Sequence, residues 1–331
     1  MTHPSDIAAG PGGTGIVVIG RDLGPRLLRC LDSVRGLGCP VVYVDSASSD
    51  ASPARARETG VQVVELDPSL PLSASRGRNE GVRVLRGTHP ELQFVQFVDG
   101  DCELDPAWLG HAVAAMKADA NVGVVCGHLR EKHADRSAVA RVLDIDWSGP
   151  VGAIEACGGI FLCRLSAFAQ AGEFAPGIVT GEEADLCARV RRAGFGVVRL
   201  DVPMGTHDAE MHRLGQWWQR TARVGRTYAQ AAGRAGDGDS RAAARRVRSA
   251  LMWGIAAPGI MLACLFAGFW WRPLWLVLAA AVALHAVFLA RVGLRMRRRG
   301  LAPRDAVCYA FFTLLAKYAH ATGCARFWAR A

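Results

Sequence analysis

Acidic residues almost vanish from the last quarter of this 331-residue chain. From Arg241 onward there is one, Asp305, against 14 lysines and arginines. The first 240 residues hold 25 basic and 29 acidic side chains, so the formal net charge of +9 belongs entirely to the C-terminal quarter. That placement excludes a main domain that reads nucleic acid, which needs a basic face of its own. No Cys-x-x-Cys pair occurs among the ten cysteines, which removes the usual zinc and redox signatures. The nearest two in sequence, Cys157 and Cys163, sit in an apolar stretch. Cysteines scattered in this way read as small buried hydrophobes in a reducing compartment. Residues 1–15 carry no apolar run of the kind a secretory leader has, so the N-terminal part is expected to stay in the cytosol. Charged residues are few, 21% against 51% hydrophobic, and that balance rules out a disordered chain.

Residues 15–200 read as strands alternating with helices. Residues 15–20 (GIVVIG), 40–44 (PVVYV), 61–66 and 92–98 (LQFVQFV) are short apolar runs, expected as buried strands. Between them, residues 23–37 place Leu27, Leu28, Leu31 and Val34 on one helical face. Helices are also expected over 51–59, which Asp50 can cap, and over 73–86. Near-continuous apolar strands separated by helices predict a parallel sheet covered on both faces. Ligands of such sheets bind beyond the carboxyl ends of the strands. Asp45 and the run Asp99-Gly100-Asp101 lie at two such ends.

The tail has another character. Residues 249–271 contain no charge, roughly 34 Å of helix and enough to cross a bilayer. Residues 274–290, beyond Arg272-Pro273, form a second such run. Arg245, Arg246 and Arg248 precede the first run, and Arg291, Arg295 and Arg297 to Arg299 follow the second. The positive-inside rule puts both flanks in the cytosol, with Trp270, Trp271 and Trp275 at the far interface. A third apolar stretch within 305–328, interrupted by Lys317 and His320, is expected to lie at the interface. The resulting division is a disordered N-terminus over 1–14, a catalytic domain over 15–240 and a membrane anchor over 241–331.

Two carboxylates one glycine apart, Asp99 and Asp101, suit a divalent cation that also meets substrate phosphates. Taken alone they equally suit a solvated turn. They do not stand alone. Val17 to Asp22 (VVIGRD), 44–50 (VDSASSD), 75–81 (SRGRNEG), 97–104 (FVDGDCEL), 158–168 (GGIFLCRLSAF), 181–189 (GEEADLCAR), His207-Asp208 and 216–220 (QWWQR) follow one another in this order. Together they resemble glycosyltransferase family 2 over about residues 14–230. The resemblance implies an α/β GT-A fold, a nucleotide-diphosphate sugar donor and Mg²⁺ or Mn²⁺.

It further implies that Asp45 meets the nucleotide base, most often uracil, and that Arg78 approaches the nucleotide. Asp99 would hold the ribose, with Arg21 and Asp22 in the same crevice, and Asp101 would bind the metal. Arg78 also suits a solvated helix face beside Arg76 and Arg83. Glu182-Glu183 stands where many members have Glu-Asp. By that alignment Glu183 is the base and Glu182 orients or contacts the acceptor, although acids also favour any first helical turn. His207, read as a loop residue after a strand over 197–201, either completes the metal site or lies on the surface. Trp217 and Arg220 are candidates for the acceptor or its phosphate. The Gln-x-x-Arg-Trp of processive synthases is absent, so one sugar is transferred rather than a polymer.

The whole reads as an inverting enzyme of the bacterial inner membrane, its catalytic domain cytoplasmic, acting on a lipid-linked acceptor among membrane lipids. A polyprenyl-phosphate sugar synthase, or a catalytically inactive nucleotide-sugar-binding scaffold, stays open as the alternative.

Overall fold

The computed structural model describes residues 11–178, 180–233 and 238–329. Two compact units divide it. The first takes in the described part of Met1–His133 together with Asp146–Ala209, and the second takes in Ala134–Ile145 and the described part of Glu210–Ala331.

The first unit is built on strands β1 (Thr14–Gly20), β2 (Val41–Asp45), β3 (Gln62–Glu65), β4 (Phe94–Asp99), β5 (Cys102–Leu104), β6 (Val122–Glu131), β7 (Gly152–Ala153), β8 (Phe161–Arg164) and β9 (Gly196–His207). They form one sheet in the order β3-β2-β1-β4-β8-β6-β9-β5, with β7 paired to β9. The first four strands are parallel, as their unbroken apolar runs demand. The expectation of an all-parallel sheet fails at β8, which runs antiparallel to both β4 and β6. The short run of β8 carries the same apolar signature as a parallel strand, so sequence pattern cannot reveal its direction.

Helices α1 (Pro25–Arg35), α2 (Ser52–Glu58), α3 (Ala74–Thr88), α4 (Trp108–Ala118), α5 (Ala138–Trp147), α6 (Leu165–Ala171) and α7 (Glu182–Arg192) connect the strands. Helix α3 comes unusually close to the sheet. A Cβ on Gly81 would fall 2.4 Å from a methyl of Val17, so only glycine allows this approach. Residues 1–10, most of the expected disordered N-terminus, lie outside the described residues, and Thr14 already belongs to β1. The last strand runs on to His207 rather than stopping near 201.

The second unit contains α8 (Leu214–Ala232), α9 (Gly238–Leu251), a π-helical turn (Met252–Ala256), α10 (Ala257–Ala267), α11 (Leu274–Arg298) and α12 (Pro303–Trp328). The compact units part at Ala209 and Glu210, not at residue 240, because α8 packs with α12. The Trp217 ring meets Phe312 edge-on at 5.0 Å, and the Cys324 thiol donates to the Gly225 carbonyl. Two helices are long and apolar enough to cross a membrane, Ser240–Ala267 and Leu274–Arg298. Their boundaries differ from 249–271 and 274–290 because helix continues through the arginine flanks, and Trp270 and Trp271 lie in the turn. Only 17% of the first apolar window and none of the second is buried inside the protein, whereas a soluble core helix would be covered. Helix α12 is continuous for 26 residues, with Ala306, Ala310, Phe312, Ala319 and Cys324 buried.

Candidate active site

Neighbouring parallel strands bring their carboxyl ends into line. Gly20 of β1 is in register with Asp45 of β2, and Ile19 is in register with Asp99 of β4. Asp45 is completely buried. Its carboxylate accepts from the Tyr43 hydroxyl at 2.7 Å, the Ser48 amide at 2.7 Å and the Ser48 hydroxyl at 2.6 Å. It therefore shapes the loop after β2. Asp22 ties the end of β1 to the same loop, accepting from the Ser49 amide at 2.6 Å, and those bonds hold its carboxyl below the usual range. Its φ of 51° is left-handed for a residue with a side chain, strain that the cross-loop bonds offset. Arg21 is exposed beside it, 3.4 Å away. Asp50 accepts from the Ser52 amide at 2.9 Å in a local turn just ahead of α2, but the N-cap is Ala51 and carries no side-chain cap, so Asp50 is not the cap its position suggested.

The centre of the site is Arg78. It is 2% exposed, so the reading of a solvated helix face is overturned. The close approach of α3 to β1 carries its guanidinium across the strand ends. One terminal nitrogen donates to Glu182 at 3.0 Å. The other donates to Asp99 at 2.9 Å and Glu183 at 3.1 Å. Burial alone would lower the pKa of this guanidinium, but Asp99 and the two glutamates raise it above its ordinary value. The opposite holds for Glu183. Burial pushes it up to about 7, with Glu182 and Asp99 adding to the rise and Arg78 opposing it. A carboxylate poised there can take a proton near neutral pH.

Three further residues support this cluster: Asn79 and Gly159 lie within the runs 75–81 and 158–168, and Phe174 lies outside every motif. The Phe174 ring lies 5.2 Å from the Arg78 guanidinium carbon. Asn79 clamps the Phe174 backbone, donating to its carbonyl at 2.8 Å and accepting from its amide at 3.1 Å. Gly159 lies against the cluster; a Cβ there would fall 2.1 Å from an Asp99 oxygen. The aromatic contact and the amide clamp join segments almost a hundred residues apart, which no local pattern foretells.

Beside the cluster, β5 and β9 pair antiparallel so that Cys102 faces His207. His207 Nε2 lies 3.1 Å from Asp101 Oδ2, and the Trp147 ring packs on the imidazole at 4.4 Å. Burial by itself would raise the Asp101 pKa, but the hydrogen bond and charge of His207 bring it below the usual value. Asp101, Cys102 and His207 offer ligand atoms all within 4.8 Å of one another. Nδ1 of His207 is buried and has no hydrogen-bond partner among the described residues. A converging carboxylate and imidazole is a donor set that fits a divalent cation.

Residues 16–146 match the sequence model of Glycosyl transferase family 2. The sheet that carries this stretch has a GT-A fold. The mannosyltransferase PcManGT from Pyrobaculum calidifontis, solved in complex with GDP-Man and Mn²⁺, is similar at a TM-score of 0.59 and 17% identity. That similarity covers 98% of this chain and 91% of the other. Glucosyl-3-phosphoglycerate synthase from Mycobacterium tuberculosis, solved with Mn²⁺, UDP and glucosyl-3-phosphoglycerate, aligns at a TM-score of 0.47 and 18% identity, covering 68% of this chain and 80% of that one. No curated protein matches the sequence.

The matched stretch ends before Glu182, Glu183 and His207, yet the fold brings the two glutamates to Arg78 and His207 to Asp101. Trp217, expected near the acceptor, is instead buried against Phe312. Arg220 lies on the same helix, α8, in the second unit.

Proposed function

We propose that this glycosyltransferase moves one sugar, with inversion, from a UDP-sugar to a lipid-linked acceptor at the bacterial inner membrane, its catalytic domain facing the cytoplasm. The observation that carries the reading is the single guanidinium of Arg78 gathering Asp99, Glu182 and Glu183 beside the Asp101–His207 pair. In this reading Asp101 and His207 hold Mg²⁺ or Mn²⁺. When bound, the cation neutralises charge on the departing diphosphate. Glu183, the more exposed glutamate at 18% against 8% for Glu182, accepts the proton of the acceptor hydroxyl as it attacks the anomeric carbon. Glu182 keeps Arg78 in place, a role that its burial favours over direct contact with the acceptor. Asp99 and the loops tied by Asp45, Asp22 and Arg21 bound the nucleotide crevice, and Arg220 meets a phosphate of the acceptor.

The two apolar helices anchor the domain, which confines the search for a lipid-linked acceptor to the membrane plane. The test is sugar-nucleotide turnover by the full chain in membranes, with UDP- and GDP-sugars, with and without Mn²⁺. Asp101→Ala should lose the tightening of nucleotide binding by Mn²⁺ and roughly 10²-fold or more in rate. Calorimetric titration that shows undiminished Mn²⁺-dependent binding would remove Asp101 from the metal site. For the topology, a reporter fused after Arg299 should register in the cytoplasm, and one inserted between Arg272 and Pro273 on the far side. The reverse pattern would place the catalytic domain outside the cell.

A further inference from the structure

Most of the ten cysteines are the buried hydrophobes their scatter suggested. Two are placed differently. Cys157, on the segment between β7 and β8, and Cys187, on α7, bring their Sγ atoms to 3.5 Å from each other as free thiols. They are 30 residues apart in sequence, and neither pairs with Cys163, the nearest neighbour by spacing. Cys187 is fully buried, while Cys157 is partly exposed.

We infer that Cys157 and Cys187 form an oxidation site, which a hydroperoxide converts to an intramolecular disulfide that suppresses sugar transfer until a reductant reopens it. Both thiols adjoin the charge cluster. Cys187 lies one helical turn after Glu183 on α7. Cys157 is two residues before Gly159, which abuts Asp99 and Arg78. Cys157, the partly exposed member of the pair, meets the oxidant first: its sulfur attacks, the hydroperoxide O–O bond breaks, its proton passes to the departing oxygen to give an alcohol, and Cys157 becomes a sulfenic acid. The Cys187 thiolate then attacks Cys157 Sγ, the S–S bond forms and hydroxide departs as water. Two thiols give up two electrons and two protons, and the peroxide is reduced to alcohol and water.

The hydrogen bond from Cys157 holds the Cys187 pKa below its usual value, whereas burial raises that of Cys157, which suits Cys187 to the second step. Bonding distance is about 2.05 Å, so the two Sγ atoms, 3.5 Å apart, must close by more than an ångström beside the charge cluster. A displacement of about 1 Å at reacting groups can cost roughly 10²-fold in rate.

The turnover part of this inference rests on the function proposed above; the chemistry of the pair does not. The full chain, in detergent, is treated with hydrogen peroxide, its remaining thiols are alkylated, and its peptides are mapped by mass spectrometry. The expected product is a Cys157–Cys187 cross-linked peptide, with sugar transfer reduced at least 10-fold and restored by dithiothreitol. Cys157→Ser, at the more exposed position, should retain basal turnover and lose the sensitivity. A map without the cross-link, or one joining Cys187 to the nearby buried Cys126 or Cys163, overturns the site. The cross-link with undiminished turnover overturns the coupling to catalysis. Should no donor sugar turn over at all, the peptide map still decides the site, and the loss belongs to the proposed function.

Discussion

Glu183→Gln should lose turnover by roughly 10²- to 10⁴-fold, the range attributed to a positioned general base, while donor binding stays close to that of the unmodified protein. Gln keeps the size of the side chain and can still accept a hydrogen bond from Arg78, but it cannot carry away a proton. In the unsubstituted protein the rate should rise with pH through about 7, where Glu183 ionises, and Glu183→Gln should lack that limb. Stability should move the other way. Folding raises the Glu183 pKa from an ordinary 4.5 to about 7, so the folded state binds more protons between those values. The ionised side chain therefore costs stability that accumulates as pH rises through that window. Glu183→Gln should melt no lower than the parent at pH 8, and higher if no other contact is lost. Loss of turnover without loss of stability identifies a catalytic group. If Glu182→Gln is the inactive variant and Glu183→Gln keeps its turnover, the two glutamates exchange roles.

Arg78→Met should be the most destabilising single change in the site. One buried guanidinium compensates Asp99, Glu182 and Glu183, whose side chains are 35%, 8% and 18% exposed. Taking away one partner of a buried charge pair typically costs about 3–5 kcal/mol, because the remaining charge is left without compensation. Met fills similar volume above Phe174, so the loss is one of charge rather than of packing. The pH dependence separates these causes. Without Arg78, which opposes the rise in the Glu183 pKa, Glu183 should ionise at still higher pH in the folded state than in the unfolded chain. The folded variant then holds an extra proton over a wider range, and its stability falls further as pH rises past the ordinary carboxylate value. The gap in melting temperature between Arg78→Met and the parent should be small at pH 5 and large at pH 8. An equal gap at both would mean that Arg78 matters for packing. Arg78→Lys should recover part of the stability only, since one ammonium cannot span three carboxylates as a planar fork does.

Much of this protein was legible in one dimension because the determining interactions are local or periodic. The apolar runs that became β1, β2 and β4 declare themselves by composition, and each ends in the residue that belongs beyond a parallel strand: Gly20, Asp45 and Asp99. The two long apolar helices follow from length and hydropathy. The ordered motifs singled out Arg78, Asp101, Glu183 and His207, and the fold brings Arg78 to Glu183 and Asp101 to His207.

Tertiary structure alone decided what those side chains do to one another. Arg78 could sit in solvent until Gly81 of α3 lets the helix descend onto β1 and carry the guanidinium over the strand ends. The antiparallel turn of β8 and the extension of β9 to His207 depend on pairing partners far along the chain, and side-chain alternation within a strand does not encode its neighbours' direction. Trp217 shows the same limit, since an aromatic on an amphipathic helix fits either a ligand or another helix, and only the position of Phe312 chose between them. Sequence determined which residues carry charge and apolar surface. Burial and distance, set by segments 30 to more than a hundred residues apart, determined which carboxylate is neutralised, which is left poised near neutral pH, and which two thiols meet.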